Sequence, residues 1–251
     1  KLAAHLLHTA GVKGGLAAHV GCGKGRMTAA LHRHAGLVMH GLDRSETNVA
    51  RARTYLKEQG LYGNVSVARW SGGSLPYAGG VLDLLIVENP DRVASQEILR
   101  VLAPGGVALV RTENGWNKRI KSRPEAIDEW PHYLHGPNNN AVSRDERVGP
   151  PQSTRWVTSF PHLRHHNYLS SISAMVSAGG RLFTIEDKGS RMSIDLPPEW
   201  RLVARGAFNG VALWEKPIES WVNTKHGFRS GPLEVNRRLV ATRDRVFATL
   251  S

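Results

Sequence analysis

One cysteine, Cys22, occurs in 251 residues, so no disulfide can form within the chain. No apolar run approaches the length of a bilayer span, and no secretory signal peptide is visible. The chain opens on Lys1 rather than methionine and runs at once into an apparent helix through Leu2, His5, Leu6 and Leu7. A processed or partial sequence is therefore expected, and the missing leader says nothing of its compartment. Aromatic residues make up only 7%, and they do not interleave with the basic residues into a stacking platform. The formal net charge of +12 is spread along the chain, so nucleic acid is not an expected partner. The one denser basic stretch, Lys118-Arg119-Ile120-Lys121-Ser122-Arg123, adjoins Pro124 and reads as a solvated linker. Histidines number 12, and His162, His165 and His166 with Asn167 form their densest group. They lack helical metal spacing and a nearby cysteine or carboxylate pair, so no metal site is expected. His132 and His135 read as loop packing.

What is present is concentrated near the start. Leu16-Ala17-Ala18-His19-Val20 reads as a short buried strand running into the glycine turn Gly21-Cys22-Gly23-Lys24-Gly25. An amphipathic segment follows over 26–34, and a second apolar run, Leu37 to Leu42, closes on Asp43. Strand, Gly-x-Gly-x-Gly turn, helix and acid-ended strand make up a nucleotide-binding βαβ half. The glycines allow close backbone approach, the helix start offers free N–H groups, and the acid suits a pair of ribose hydroxyls. Cys22 reads as a small packed side chain inside this turn.

The glycine spacing is tighter than the dinucleotide fingerprint. With two later landmarks it resembles the class I S-adenosylmethionine (SAM)-dependent methyltransferases. Leu82 to Asn89 is similar to the family's fourth strand. Gln96 to Val110 is similar to its following helix, Pro104-Gly105 turn and fifth strand. The resemblance covers roughly residues 10–112 and implies SAM as cofactor. It implies that Gly21, Cys22, Gly23 and Gly25 pack under the methionine and ribose, and that Asp43 takes the ribose hydroxyls. Arg44 would flank the adenine, and Arg69, Trp70 and Ser71 would face it. Glu88 and Asn89 would border the methyl group and acceptor, as candidate catalytic residues; Glu88 is equally an ordinary charged strand end. Three positions depart from the pattern. His19 stands where the family often has an acid near the SAM ammonium group, Lys24 where some relatives have an acid, and Trp70-Ser71 where an acid often meets the adenine.

Past residue 115 helical periodicity almost vanishes, and Trp, Pro and Gly punctuate short β-type runs. Met175 to Ile185 reads as a hairpin turning at Gly179-Gly180. Trp200–Arg205 and Val211–Lys216 read as strands joined by a turn at 206–210. Leu239 to Thr249 repeats the first hairpin at an offset of 64, aligning Val176 with Val240, Arg181 with Arg245 and Phe183 with Phe247. Ala204 to Trp214 is similar to the blade signature of quinoprotein-like (PQQ-type) β-propellers, with Gly206 where many blades carry Asp. The segment from Asp128 to Trp156 resembles the lead-in to such a propeller. The whole resembles large planctomycete-type bacterial proteins that fuse the two folds, which implies an exported or periplasmic location.

The expected fold is thus a Rossmann-like α/β domain over 1–115, a basic linker and lead-in over 116–160, and an incomplete all-β propeller over 161–251. PQQ itself is not expected, because most such propellers bind no quinone. The remaining blades would come from chain beyond residue 251. The expected function is SAM-dependent methyl transfer to an unidentified acceptor. The rival is a non-catalytic scaffold for protein interaction, which the missing acids and a sheet apparently ending after five strands would favour.

Overall fold

A computed structural model describes residues 1–147, 149–150, 154–158, 171–192, 196–219, 221 and 233–250. The chain divides into two units, Lys1–Arg123 and Pro124–Ser251. The group His162, His165, His166 and Asn167 lies outside the described residues.

The first unit is organised by its strands. β1 (Leu16–Val20) and β4 (Leu82–Val87) are buried almost throughout, as parallel strands covered on both faces must be. With β2 (Val38–Asp43), β3 (Val65–Arg69), β5 (Leu102–Thr112) and β6 (Gly115–Ile120) they form one sheet in the order β3-β2-β1-β4-β5-β6. All neighbours are parallel except β5 and β6. The helices α1 (Leu2–Ala10), α2 (Arg26–Ala35) and α3 (Glu46–Glu58) supply apolar residues such as Leu6, Leu31 and Leu56 to one core, with Met39, Leu84 and Leu109 from the sheet. The opposite face is covered by α4 (Ser95–Val101) and the connection carrying Trp70, Leu75 and Val81, packed on Leu42, Leu85 and Val87.

Two sequence readings are corrected here. The sheet does not end after five strands, and much of the basic stretch is not a linker. Thr112 pairs with Gly115 across a two-residue turn, and β6 returns antiparallel along β5 with Arg111 opposite Trp116. The cations serve this edge strand. Lys118 Nζ donates to Thr9 O at 2.7 Å, Lys121 Nζ to Leu102 O at 2.7 Å, and Arg119 Nη1 to Ser95 Oγ at 3.0 Å. Charged side chains on an exposed edge also discourage pairing with another chain. The Pro-Gly segment is absorbed into β5 as an irregularity: Leu82 pairs with Leu102, but Leu84 pairs with Val107. Gly106 is required there, since an added Cβ would stand 2.6 Å from Leu82 O.

The second unit is a β structure. β7 (Ile172–Ala178), β8 (Arg181–Asp187), β9 (Trp200–Gly206) and β10 (Ala212–Pro217) form an antiparallel meander in the order β10-β9-β8-β7. Gly179 and Gly180, at φ 62 and 73, make the first turn. β11 (Leu239–Ala241) and β12 (Val246–Ala248) form a separate two-stranded pair. The repeat seen in the sequence holds at the level of register: Val176 faces Phe183, and Val240 faces Phe247. Val176, Phe183, Ile185 and Ala204 share a core with Trp221, Leu239 and Ala241. The lead-in segment is fastened to this core, with Ser177 N donating to Trp130 O at 2.8 Å and Ala241 N to Pro131 O at 3.0 Å. None of the described helices is long and apolar enough to cross a membrane.

Candidate functional site

Strand order reverses between β1 and β4, and a crevice opens outside the carboxyl ends of the strands at that point. The glycine loop turns over it. Gly21, Gly23 and Gly25 all have positive φ, at 85, 53 and 76, which L side chains rarely adopt. Gly21 is also held close to β4, because an added Cβ would lie 2.9 Å from Glu88 Cβ and 3.0 Å from Asn89 Nδ2. Gly21 N and Cys22 N donate to Leu42 O at 2.8 and 3.1 Å, tying the loop to β2.

Asp43 fastens the other side. Its Oδ2 accepts from Gly23 N at 2.8 Å, while Oδ1 accepts from Ser45 N at 2.9 Å and Asn48 Nδ2 at 3.2 Å. The carboxylate therefore clamps the loop to the start of α3. An ionised carboxylate offers about four acceptor positions, so roughly one is left for a ligand. Cys22 is buried against Gly41, where an added Cβ would meet its Sγ at 2.8 Å. Burial, with the charge of Asp43 adding, pushes its thiol up to about 12, so it stays a neutral packed side chain at physiological pH.

A cleft of ≈ 100 Å³ lies here, lined by Val20, Gly21, Leu42, Asp43, Arg44, Trp70, Asn89 and Arg92. Small-molecule pockets usually enclose about 300–1,000 Å³. A nucleoside-sized ligand would therefore extend out of it along the loop. Trp70 is one wall, only 7% exposed, with its indole N–H donating to Ser74 O at 3.0 Å and its backbone N–H to Asp43 O at 2.9 Å. Ser71 is exposed and does not line the cleft, and Arg69 lies 3.9 Å from Glu46 at the surface. Arg44 and Arg92 have no ion-pair partner among the described residues.

His19 is 1% exposed on β1, with Nδ1 2.9 Å from Thr28 Oγ1. Its Nε2 has no hydrogen-bond partner among the described residues and lies 3.6 Å from Glu88 Oε1. On the other side Glu88 Oε2 lies 3.7 Å from Arg111 Nη1, and Arg111 stacks over Trp116 at 5.2 Å. Of the residues singled out in the sequence, Gly21, Asp43, Arg44, Trp70 and Asn89 line this cleft; Gly23 is bonded to Asp43 and Glu88 packs on Gly21, while His19 belongs to β1, Cys22 packs against Gly41 and Gly25 against Ala52. Sequence reasoning missed Thr28, Arg92 and Arg111. Arg111 could have been found as the first polar residue past the apolar run of β5. Nothing in the sequence marks Arg92, which a short 3₁₀ turn (Pro90–Arg92) carries to the cleft.

A larger, apolar hollow of ≈ 500 Å³ lies along β7, lined by residues including Trp130, Tyr133, Met175, Leu182 and Asn236. Among the described residues no carboxylate, histidine or cation lines it, so the crevice of the first unit is the better candidate for chemistry despite its smaller volume.

Known proteins resemble the same part of the chain. Residues 17–106 match the profile of a family described as a methyltransferase domain. Methyltransferase GfsG of Streptomyces halstedii is 34% identical over 93 residues, which is 35% of this chain and 34% of that protein. The protein-L-isoaspartate O-methyltransferase of Rhodopseudomonas palustris is 36% identical over 110 residues, covering 44% of this chain and 50% of that protein. The matches thus span a third to a half of these curated relatives. Among solved structures, a SAM-dependent methyltransferase from Aquifex aeolicus is 20% identical, covers 43% of this chain and 62% of its own, and has a TM-score of 0.39.

Proposed function

We infer that the first unit is a methyltransferase domain, because the residues similar to that family contain the glycine loop, Asp43 and the end of β4. We propose that this unit binds SAM in the crevice at the ends of β1, β2 and β4 and transfers its methyl group to an acceptor. The observation that carries the reading is the latch between Gly23 N and Asp43, which forms a loop-and-acid junction at the strand-order switch inside the matched residues. The residues fit such a ligand. Gly21 brings the loop backbone directly against Glu88 with no side chain between, and the Nε2 of buried His19, which has no hydrogen-bond partner among the described residues, is a polar atom that a ligand or water would complete. The loop backbone would lie under the methionine and ribose, the remaining acceptor position of Asp43 would take a ribose hydroxyl, and Arg44 and Trp70 would border the adenine. Glu88 and Asn89 would border the reacting end. When bound, the cofactor supplies an electrophilic methyl group. The chain's own part is to align donor and acceptor and keep water out.

A scaffold reading is favoured by two observations: three intrachain donors already occupy Asp43, and the cleft is small. Incubating the full chain with methyl-labelled SAM and fractionated protein and small-molecule acceptors separates the readings. Label in an acceptor, lost on Gly21→Ala, is expected for methyl transfer. SAM binding without any label transfer would leave the scaffold in front.

The second unit we read as propeller-type, with β7–β10 as one blade and β11–β12 opening the next. The shared register of Val176–Phe183 and Val240–Phe247 supports this. Electron microscopy of the natural protein is expected to show a ring of about four to eight such sheets; a flat or open β layer would refute it.

A further inference from the structure

We propose that Glu88 and Arg111 together read the α-amino-acid end of the adenosyl cofactor, the carboxylate taking its ammonium and the guanidinium its carboxylate. This rests on the SAM reading above. The glycine loop Gly21-Cys22-Gly23-Lys24-Gly25 holds no acid to meet an ammonium group, and His19 just before it is buried. A carboxylate nevertheless lies over the loop, because Glu88 comes directly after β4 and packs on Gly21.

This carboxylate is held but not consumed. Oε1 is 3.6 Å from His19 Nε2 and Oε2 is 3.7 Å from Arg111 Nη1. Both separations exceed the about 2.7–2.9 Å of a charge-assisted hydrogen bond. The side chain of Glu88 is 26% exposed, so it can reach a ligand. The buried Nε2 of His19 faces it and has no hydrogen-bond partner among the described residues, and the ring's Nδ1 lies 2.9 Å from Thr28 Oγ1. His19 is thus a positioning residue that aims the carboxylate.

Arg111 supplies the opposite charge. It ends the buried run of β5, sits opposite Trp116 in the β5–β6 register, and lies over that ring at 5.2 Å. The ring fixes the guanidinium while leaving its N–H groups to donate. Its side chain is 48% exposed. An exposed pair of this kind contributes little by itself and exchanges readily for a ligand's charges. An anion and a cation on adjacent strand ends, beside a glycine loop, match a zwitterion of one ammonium and one carboxylate.

The test is calorimetric titration of the full chain with S-adenosylhomocysteine and with methylthioadenosine, which keeps the adenosyl thioether and lacks the amino-acid end. The wild type is expected to bind S-adenosylhomocysteine at least about tenfold tighter. Glu88→Gln and Arg111→Met are each expected to weaken S-adenosylhomocysteine by about tenfold and leave methylthioadenosine unchanged, with Arg111→Lys recovering part of the loss. Unchanged methylthioadenosine affinity also certifies that the variants fold. Equal affinity of the two probes for the wild type, or variants that weaken both equally, would overturn this inference while leaving the cofactor reading standing. Binding of neither probe would overturn both.

Discussion

Replacing Asp43 by alanine is expected to loosen the glycine loop even with no ligand present. The carboxylate accepts from Gly23 N, Ser45 N and Asn48 Nδ2. Ser45 is exposed, so its donor can turn to water, but the half-buried N–H of Gly23 is left without an acceptor. A hydrogen bond to a charged group contributes about 1.5–3 kcal/mol net. Loss of the Gly23 contact with partial loss of the others therefore comes to about 2–3 kcal/mol of local stability. At about 1.4 kcal/mol per factor of ten, the loop opens roughly 30–150 times more often. Asp43→Asn keeps one acceptor oxygen, and the expected effect falls to about tenfold. Amide hydrogen exchange on peptides covering 20–27 and 43–49 of the ligand-free chain reads this directly. Exchange within about twofold of wild type in Asp43→Ala would refute the latch. The point matters for function, because loss of cofactor affinity in that variant would combine a missing ribose contact with a collapsed loop.

Other consequences are equally specific. Cys22, its thiol pushed up to about 12 by burial, is expected to resist alkylation in the native chain from pH 7 to 9 and to react fully once unfolded; native labelling at the unfolded rate would contradict its packed role. Gly41→Ala places a methyl carbon 2.8 Å from Cys22 Sγ and is expected to cost about 1–3 kcal/mol, part of which Cys22→Ala in the same chain recovers; urea denaturation measures both. In the second unit the backbone N–H of Arg144, with that of Glu129 and the His135 ring, holds Asp128 down at about 2. A lowered carboxylate stabilises the fold above its ordinary value near 4, and that contribution is lost as pH falls through about 2. Thermal melting of this unit is therefore expected to fall between about pH 4 and 2 in the wild type and much less in Asp128→Asn; parallel curves would rule out Asp128 as the cause.

The first half was legible because its signals are local. The all-apolar Leu84-Leu85-Ile86-Val87 can be little other than a strand buried on both faces, and the glycine loop between β1 and α2 follows from spacing alone. The β6 misreading shows the limit. Lys118, Arg119 and Lys121 look like linker residues until the backbone carbonyls of Thr9 and Leu102 and the hydroxyl of Ser95 appear as their partners, and these are distant in sequence. The Asn114-Gly115 pair just past the apolar run of β5 was the available hint of a hairpin. At the site, which residues end each strand was readable, but what they touch was not. By sequence Asp43 reads as free for a ribose, whereas its oxygens hold the loop; Trp70 reads as facing an adenine, whereas most of it is core. Hydrogen bonds from loop amides leave no trace in the identity of the donor residue, so the latch could not be read from Gly23.

The central claim is that the crevice beside Gly21, Asp43 and Glu88 is a SAM site. Calorimetric titration of SAM into the full chain, with circular dichroism to establish that the chain is folded, tests it most directly. One site per chain with micromolar affinity, abolished by Gly21→Ala in a chain that still folds, is the predicted result. No heat from a folded chain at millimolar SAM would contradict it and leave the first unit as a methyltransferase-like scaffold.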